Sequence, residues 1–317
     1  MTPSQLTAFA TVVRLGSVKA AAAELGVTDA AVSMHIKSLR NELSDRLFVR
    51  SKGGIAFTPG GLRLATRANE LLGLQDQTKR EVRDAADGKR LLRLASSALF
   101  AEYAAPGLIE LFSSKAKDLE VELTVLPTGD LAAAVASRRA DLAVGPDVPD
   151  SEAISEGAVI EHRPILRYEL IVVASRELHG AHQLQQHEWM LGPAAAERGG
   201  VTPRLLELLA IPEAQQRIFQ SNEAALSEVR RGHGLGLAVG FKVAEELAEG
   251  RLVRISTPAV AGHGTWNLTS LPSPQLPSAA RELQRFITRP RATQAMLTGS
   301  GAGIARFKPS VHVTLWS

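Results

Sequence analysis

The chain reads as an α/β protein in three parts: a small helical N-terminal unit closed by a hairpin, one long helix, and two lobes of alternating strands and helices. Three observations lead there. Residues 17–43 carry an alanine-rich helix, a glycine and a second amphipathic helix; residues 60–87 read as one long helix; and from Leu91 onward short apolar runs alternate with capped helical stretches. At 317 residues with 45% hydrophobic side chains, the chain is long enough for two or three separate cores.

The first helix starts near Thr2, turns Leu6, Phe9, Ala10 and Val13 to one side, and stops at Gly16. Ser17 then caps a helix of Ala20, Ala21, Ala22, Ala23 and Leu25, and Gly26 lets the backbone leave it. Thr28 caps the next helix, where Ala31, Ile36 and Leu39 are expected inside and Asp29, Ser33, Met34 and Lys37 outside. The small Ala22 and Ala23 allow a close, steep crossing, which is helix-turn-helix geometry; its second helix suits the DNA major groove. Residues 47–60 read as strand, a basic glycine turn, strand, and a new helix capped by Thr58 with Pro59 at its first position. A basic hairpin in that place is a wing, with Arg50 and Lys52 on the phosphate backbone.

In the long helix Leu64, Ala68, Leu71, Gln75, Thr78, Val82 and Ala85 recur at spacings of four and three, a coiled-coil seam with a polar middle. Pairing two copies through it would present two recognition helices to two half-sites. Gly88 ends the helix. Strands are then expected at residues 91–95, 121–126 and 141–145 in one lobe and at 169–174, 217–220 and 236–239 in another, with helices at 103–113, 131–137, 203–209 and 222–231 between them. Residues 252–255 and 266–271 read as strands crossing back to the first lobe, which a helix over 278–287 then covers. Ligands of such sheets meet the loops at the carboxyl ends of the strands and the adjoining helix N-termini. Those loops hold Ser96, Ser97, Thr128, Gly129, Thr202, Ser221 and Asn222. Capping alone would account for each; their convergence on one cleft favours a compact polar effector, a small anion or carboxylate, over a flat ligand held by stacking, since aromatics make up only 4% of the chain.

The order Leu6, Phe9, Gly16-Ser17, Ala21-Ala22, Leu25, Ala31-Val32-Ser33, Ile36, Leu39, Leu43, Leu47-Phe48, Arg50 and Thr58-Pro59-Gly60-Gly61 resembles the N-terminal signature of LysR-type transcriptional regulators. Two departures stand out: Ser44 follows Leu43 where the family has glycine, and Asp29, Met34 and His35 replace the residues common on the recognition helix. The resemblance implies a winged helix-turn-helix domain at 1–58, a dimerising linker helix at 59–88 and a periplasmic-binding-protein-like effector domain at 89–317. Its first lobe would take about 89–164 and 265–317, its second about 165–264. It also implies promoter DNA, a small-molecule effector and RNA polymerase as partners, no cofactor, and assembly as a homodimer or homotetramer. The DNA-contacting set is then Thr28, Asp29, Ser33, Met34, His35, Lys37, Arg50 and Lys52, and the dimer contacts are Leu64, Ala68, Leu71, Gln75 and Val82.

Charge and motif content agree. Residues 1–90 hold 14 Lys and Arg against 9 Asp and Glu, and the remainder 22 against 24, so the basic excess sits at the DNA-reading end. No cysteine is present, which excludes disulfides, thiolate metal sites and cysteine nucleophiles. The start of the chain lacks a basic region leading into an apolar core and no apolar run is of spanning length, so a cytoplasmic location is expected. Residues 232–240 are glycine-rich but lack dinucleotide-loop spacing, and His179, His182 and His187 read as surface loop; with no nucleophile elbow or spaced carboxylate pair, an enzyme is not expected. A solute-binding protein built on the lobes alone would need an export signal and would not need the wing, and an effector-independent nucleoid-type DNA binder would be told apart by comparing operator with random DNA at fixed salt. The tail after Arg289 reads as a small flexible run followed by an apolar end that docks as a strand on its own or a neighbouring subunit.

Overall fold

A computed structural model describes residues 1–51, 54–116, 118–146, 159–178, 183–197, 200–256, 262–298 and 311–315, with the side chains of 50, 51, 54, 87 and 311–315 outside that description. Two compact units result: residues 1–83 with the short segment 136–139, and most of the rest.

The N-terminal unit holds α1 (Pro3–Leu15), α2 (Val18–Leu25), α3 (Asp29–Leu43), the hairpin β1 (Phe48–Ser51) and β2 (Gly54–Phe57), and α4 (Pro59–Asp87). The side chains of Thr2, Ser17 and Thr28 cap α1, α2 and α3, and Gly16 and Gly26 end the first two in the left-handed region. Val32, Ile36 and Leu39 are the buried face of α3, so Val32 takes the place expected for Ala31, which is only half-buried. They pack with Phe9, Val12, Ala21, Ala22, Leu47 and Phe48, and Phe9 stacks on Phe48 at 6.4 Å.

One knot of hydrogen bonds ties the hairpin to α4. Asp45 Oδ1 accepts from the Leu47 N–H at 2.6 Å and the Thr58 hydroxyl at 2.7 Å, and Thr58 Oγ1 accepts from the Gly61 N–H at 2.9 Å. The Thr58 hydroxyl, then the Leu47 N–H, hold the Asp45 carboxyl below its usual range. Gly61 lies so close to this knot that a Cβ would run into the Leu47 carbonyl.

The second unit carries one continuous sheet. Its strands are β3 (Arg90–Ser96), β4 (Leu119–Val125), β5 (Leu142–Pro146), β6 (Glu161–Ser175), β7 (Trp189–Leu191), β8 (Gln216–Ile218), β9 (Leu235–Val239), β10 (Leu252–Arg254), β11 (Gly262–Ser270) and β12 (Val311–Leu315). They lie in the order β12-β4-β3-β5-β11-β6-β9-β7-β8, with β10 also on β6. The strands β4, β3 and β5 are parallel in one lobe; β9, β7 and β8 are parallel in the other. The two long strands β6 and β11 pair antiparallel with each other and join the lobes.

Helices α5 (Ala98–Tyr103), α6 (Ala105–Ser113), α7 (Leu131–Ala136), α8 (Val201–Leu208), α9 (Asn222–Arg230), α10 (Ala244–Ala248), α11 (Ser278–Phe286) and α12 (Pro290–Thr298) complete the unit.

Four expectations change. Residues 252–254 do not cross back; they pair with Ser175 to Val173 and stay in the second lobe, so the crossing pair is β6 and β11. The helix expected at 103–113 breaks at Ala104 into α5 and α6. The helix expected at 203–209 starts at Val201 with Gly200 before it, so Thr202 is not a cap. Past Arg289 the chain first forms α12, whose proline at position one is a good helix start. The end of the chain adds to its own sheet as β12, parallel to β4, while residues 299–310 lie outside the description.

Ser44 ends α3 with φ 52°, a left-handed backbone that glycine adopts without steric cost. Ser44→Gly should therefore stabilise the N-terminal unit by about 1 kcal/mol, and Gly61→Ala should destabilise it by about 1–3 kcal/mol through overpacking. The two denaturant midpoints moving in the same direction, or Ser44→Gly lowering its midpoint while Gly61→Ala raises its own, would contradict these assignments.

Candidate functional site

Two candidate sites lie in separate units. On the N-terminal unit α3 presents Asp29, Ser33, Met34 and Lys37 to solvent, with Thr28 exposed at its cap and His35 half-buried. Met34 is 63% exposed, an apolar side chain held out on a helix whose opposite face is fully packed. Arg50 lies in β1 opposite Ile55, and Lys52 lies outside the described residues. The α4 residues expected to form a seam divide. Leu64 packs on the N-terminal core while staying half-exposed, and Ala68 is fully buried in its own chain. Gln75 is half-buried, whereas Leu71 (42% exposed) and Val82 (66%) remain apolar and open, with Leu74 beside them.

In the second unit two of the expected ligand residues, Thr128 and Asn222, lie where the lobes meet. Their donors are already matched, however, by two carboxylates that sequence reading missed. Glu102 of α5 reaches from the first lobe to the start of α9: its Oε1 accepts from the Asn222 N–H and side-chain amide at 3.0 Å each, and its Oε2 from the Glu223 N–H at 3.2 Å. Glu197 of the second lobe reaches the other way, accepting from the Thr128 N–H at 3.1 Å and from the Thr128 hydroxyl. Burial pushes the Glu102 carboxyl up, against the pull of the donors from Asn222 and Glu223. Gly192 matters for the same contact, because a Cβ there would strike the Asn222 side chain.

The other expected residues have distinct surroundings. Ser221 caps α9, accepting from the Ala224 N–H at 3.1 Å; Gly129 is exposed with open space beside it; Thr202 is buried in the first turn of α8. Ser96 and Ser97 are buried with hydroxyls that have no hydrogen-bond partner among the described residues. The Tyr168 hydroxyl and the Trp266 indole N–H share that condition, and their rings stack at 4.4 Å on the crossing strands. Burial, then the charge of Glu197, raise the Tyr168 pKa. Buried polar groups with no partner are uncommon, and these four lie at the end of β3, just after it, and on the crossing strands.

Comparison with known proteins decides the family. Residues 3–62 match the model of the bacterial regulatory helix-turn-helix protein, lysR family, and residues 85–290 match that of the LysR substrate binding domain. The chain belongs to the LysR family of transcriptional regulators. It is 54% identical over 324 residues, covering 100% of both chains, to an uncharacterised HTH-type transcriptional regulator of Mycobacterium tuberculosis. Among solved structures it is similar to ArgP from Mycobacterium tuberculosis, with TM-score 0.58 and 22% identity over 91% of this chain and 96% of that one. It is also similar to full-length CbnR complexed with its target DNA, with TM-score 0.55 and 17% identity over 93% and 99%. This LysR-type regulator is a transcription factor and not an enzyme; its helix-turn-helix is the DNA-binding domain and its two-lobed unit the effector-binding domain. Among the described residues no helix is long and apolar enough to cross a membrane.

If the carboxylates clamp the lobes, Glu102→Ala should strip the start of α9 of its acceptor. Hydrogen exchange at the Asn222 and Glu223 amides should then lose protection worth about 1–3 kcal/mol, while amides of β11 exchange as before. Unchanged exchange at both amides would mean that Glu102 does not hold the lobes.

Proposed function

We propose that the chain is a sequence-specific regulator acting in the cytoplasm as a homodimer or a homotetramer built from it, with RNA polymerase as its partner at promoter DNA. The observation that carries sequence reading is the outward face of α3. Met34, 63% exposed, suits apolar contact with a thymine methyl, and Ser33 and Lys37 lie beside it for base edges or phosphates. Thr28, Asp29 and His35 flank them, and Arg50 and Lys52 serve the backbone. The open apolar row Leu71, Leu74 and Val82 supports pairing of two α4 helices, with Ala68 turned into the chain's own core.

For the effector, the interlobe junction supports a compact polar molecule. Trp266 already packs among the chain's own rings, with Tyr168 stacked at 4.4 Å and Phe100 and Phe241 in T-shaped pairs at 5.3 Å and 6.3 Å, which disfavours a flat ligand stacked there. Thr128 and the start of α9 hold carboxylates, so their donors suit an anion. An anionic effector acts here by replacing Glu197 on Thr128, with Ser96 and Ser97 as further partners. The exchange shifts the equilibrium between lobe arrangements only by the difference in its affinity for them.

Leu71→Asp should dissociate the dimer, because it places an unpaired charge in the seam; a sedimentation profile still showing intact dimer would return α4 to an intrachain role. In a panel of small mono- and dicarboxylates scored by unfolding temperature, Glu197→Ala should bind the active compound more tightly than the parent. Thr128→Val should bind it more weakly, by about 0.5–3 kcal/mol. The anion reading fails if Glu197→Ala weakens binding as much as Thr128→Val does.

A further inference from the structure

A groove of about 490 Å³ opens in the N-terminal unit between the start of α2, the middle of α3 and β1. Val18, Ile36, Phe48 and Val49 form its apolar part, and Ser33, Arg40 and Arg46 its polar part. Neither arginine is paired with a carboxylate among the described residues, whereas Arg14 and Arg67 of the same unit are paired with Glu24 and Glu70. The groove therefore carries two uncompensated positive charges. Arg40 is fixed from within: its Nη2 donates to the Phe48 carbonyl at 2.8 Å, its guanidinium carbon sits 4.6 Å from the centre of the Phe48 ring, and its Nε is buried with no partner. Arg46, by contrast, is exposed and is free to meet a ligand.

The position of the groove says which ligand. A helix in the major groove and a hairpin beside it flank one sugar–phosphate strand, the one separating that major groove from the neighbouring minor groove. The surface that this strand crosses is the surface between α3 and β1. We infer that the groove seats this strand, with Arg46 as a phosphate ligand, the Ser33 hydroxyl as a second donor, and Arg40 as the positioning residue that fixes the Phe48 floor. The apolar wall suits the deoxyribose, and the two guanidiniums supply the charge complementarity that a phosphodiester requires. This gives Ser33 a backbone role and leaves base reading to its neighbours Met34 and Lys37. Arg46 joins the DNA-contacting set although it lies outside both the recognition helix and the hairpin strands.

The inference rests on the DNA-binding reading of the helix-turn-helix, and one experiment separates the two. The full chain is titrated against a fluorescent random-sequence 30-base-pair duplex between about 50 and 300 mM KCl, a range over which phosphate contacts dominate binding. Relative to the parent, Arg46→Ala should weaken binding several-fold at low salt and lower the slope of log K against log salt by about 0.9 for each protomer seated on the DNA. Arg46→Lys should keep the slope. Ser33→Val should weaken the parent but add little to Arg46→Ala, because both act on one phosphate. Arg46→Gln, which keeps the length of the side chain, replaces Arg46→Ala should that variant unfold. A parent slope in Arg46→Ala or Arg46→Gln, or full additivity with Ser33→Val, overturns the seat while leaving DNA binding intact. A parent that binds no duplex at any salt overturns both.

Discussion

The antiparallel pairing of β6 with β11 is the constraint on which the two-lobed unit depends. Each strand serves both lobes: β11 pairs with β5 through Trp266 to Ser270, and β6 pairs with β9 through Leu170 to Val173. Between these halves the register shifts at Trp266 and Asn267, where a bulge bends the pair and raises its twist. Trp266 sits at that point fully buried, with Tyr168, Phe100 and Phe241 around it. Because the parallel strands of each lobe are hung on this common pair, the loops at their carboxyl ends face one another. Thr128 meets Glu197, and Glu102 meets Asn222, through that geometry.

What closes the gap is reciprocal. Each lobe lends one carboxylate to the backbone donors of the other, Glu102 to Asn222 and Glu223, Glu197 to Thr128. Hydrogen bonds to charged acceptors are stronger than neutral ones, but burial raises the cost of keeping Glu102 ionised, so the clamp is a balance and not a weld. A balance of this kind is what a sensor needs. On the proposed reading, a small molecule with modestly better chemistry for the same donors changes how the lobes meet, by no more than the difference in its affinity for their arrangements.

The local grammar of the chain was legible. Caps at Ser17, Thr28 and Thr58, the stops at Gly16 and Gly26, and the outward face of Ser33, Met34 and Lys37 depend on neighbours within one helical turn, and periodicity reports such neighbours directly. Contacts set by tertiary packing were not. Glu102 and Asn222 are 120 residues apart and Thr128 and Glu197 are 69 apart, so no spacing rule links them. On α4 the chain's own core covers Ala68 fully and Leu64 in part, which a heptad pattern does not foretell, because it gives a stripe without saying which part of it that core will cover. Arg46 was passed over for a similar reason: it sits in a connection, and only the fold places it beside Ser33.

The central claim is that a recognition helix with an unusual outward face reads particular DNA for an effector-responsive regulator. The direct measurement is a footprint of the full chain on the region flanking its own gene, with affinity compared against a scrambled duplex of equal length at one fixed salt concentration. The account predicts protected half-sites about one helical turn or a multiple apart, and a preference of roughly 10³ or more over the scrambled duplex. Equal affinity for both duplexes, with no bounded protection, would contradict it.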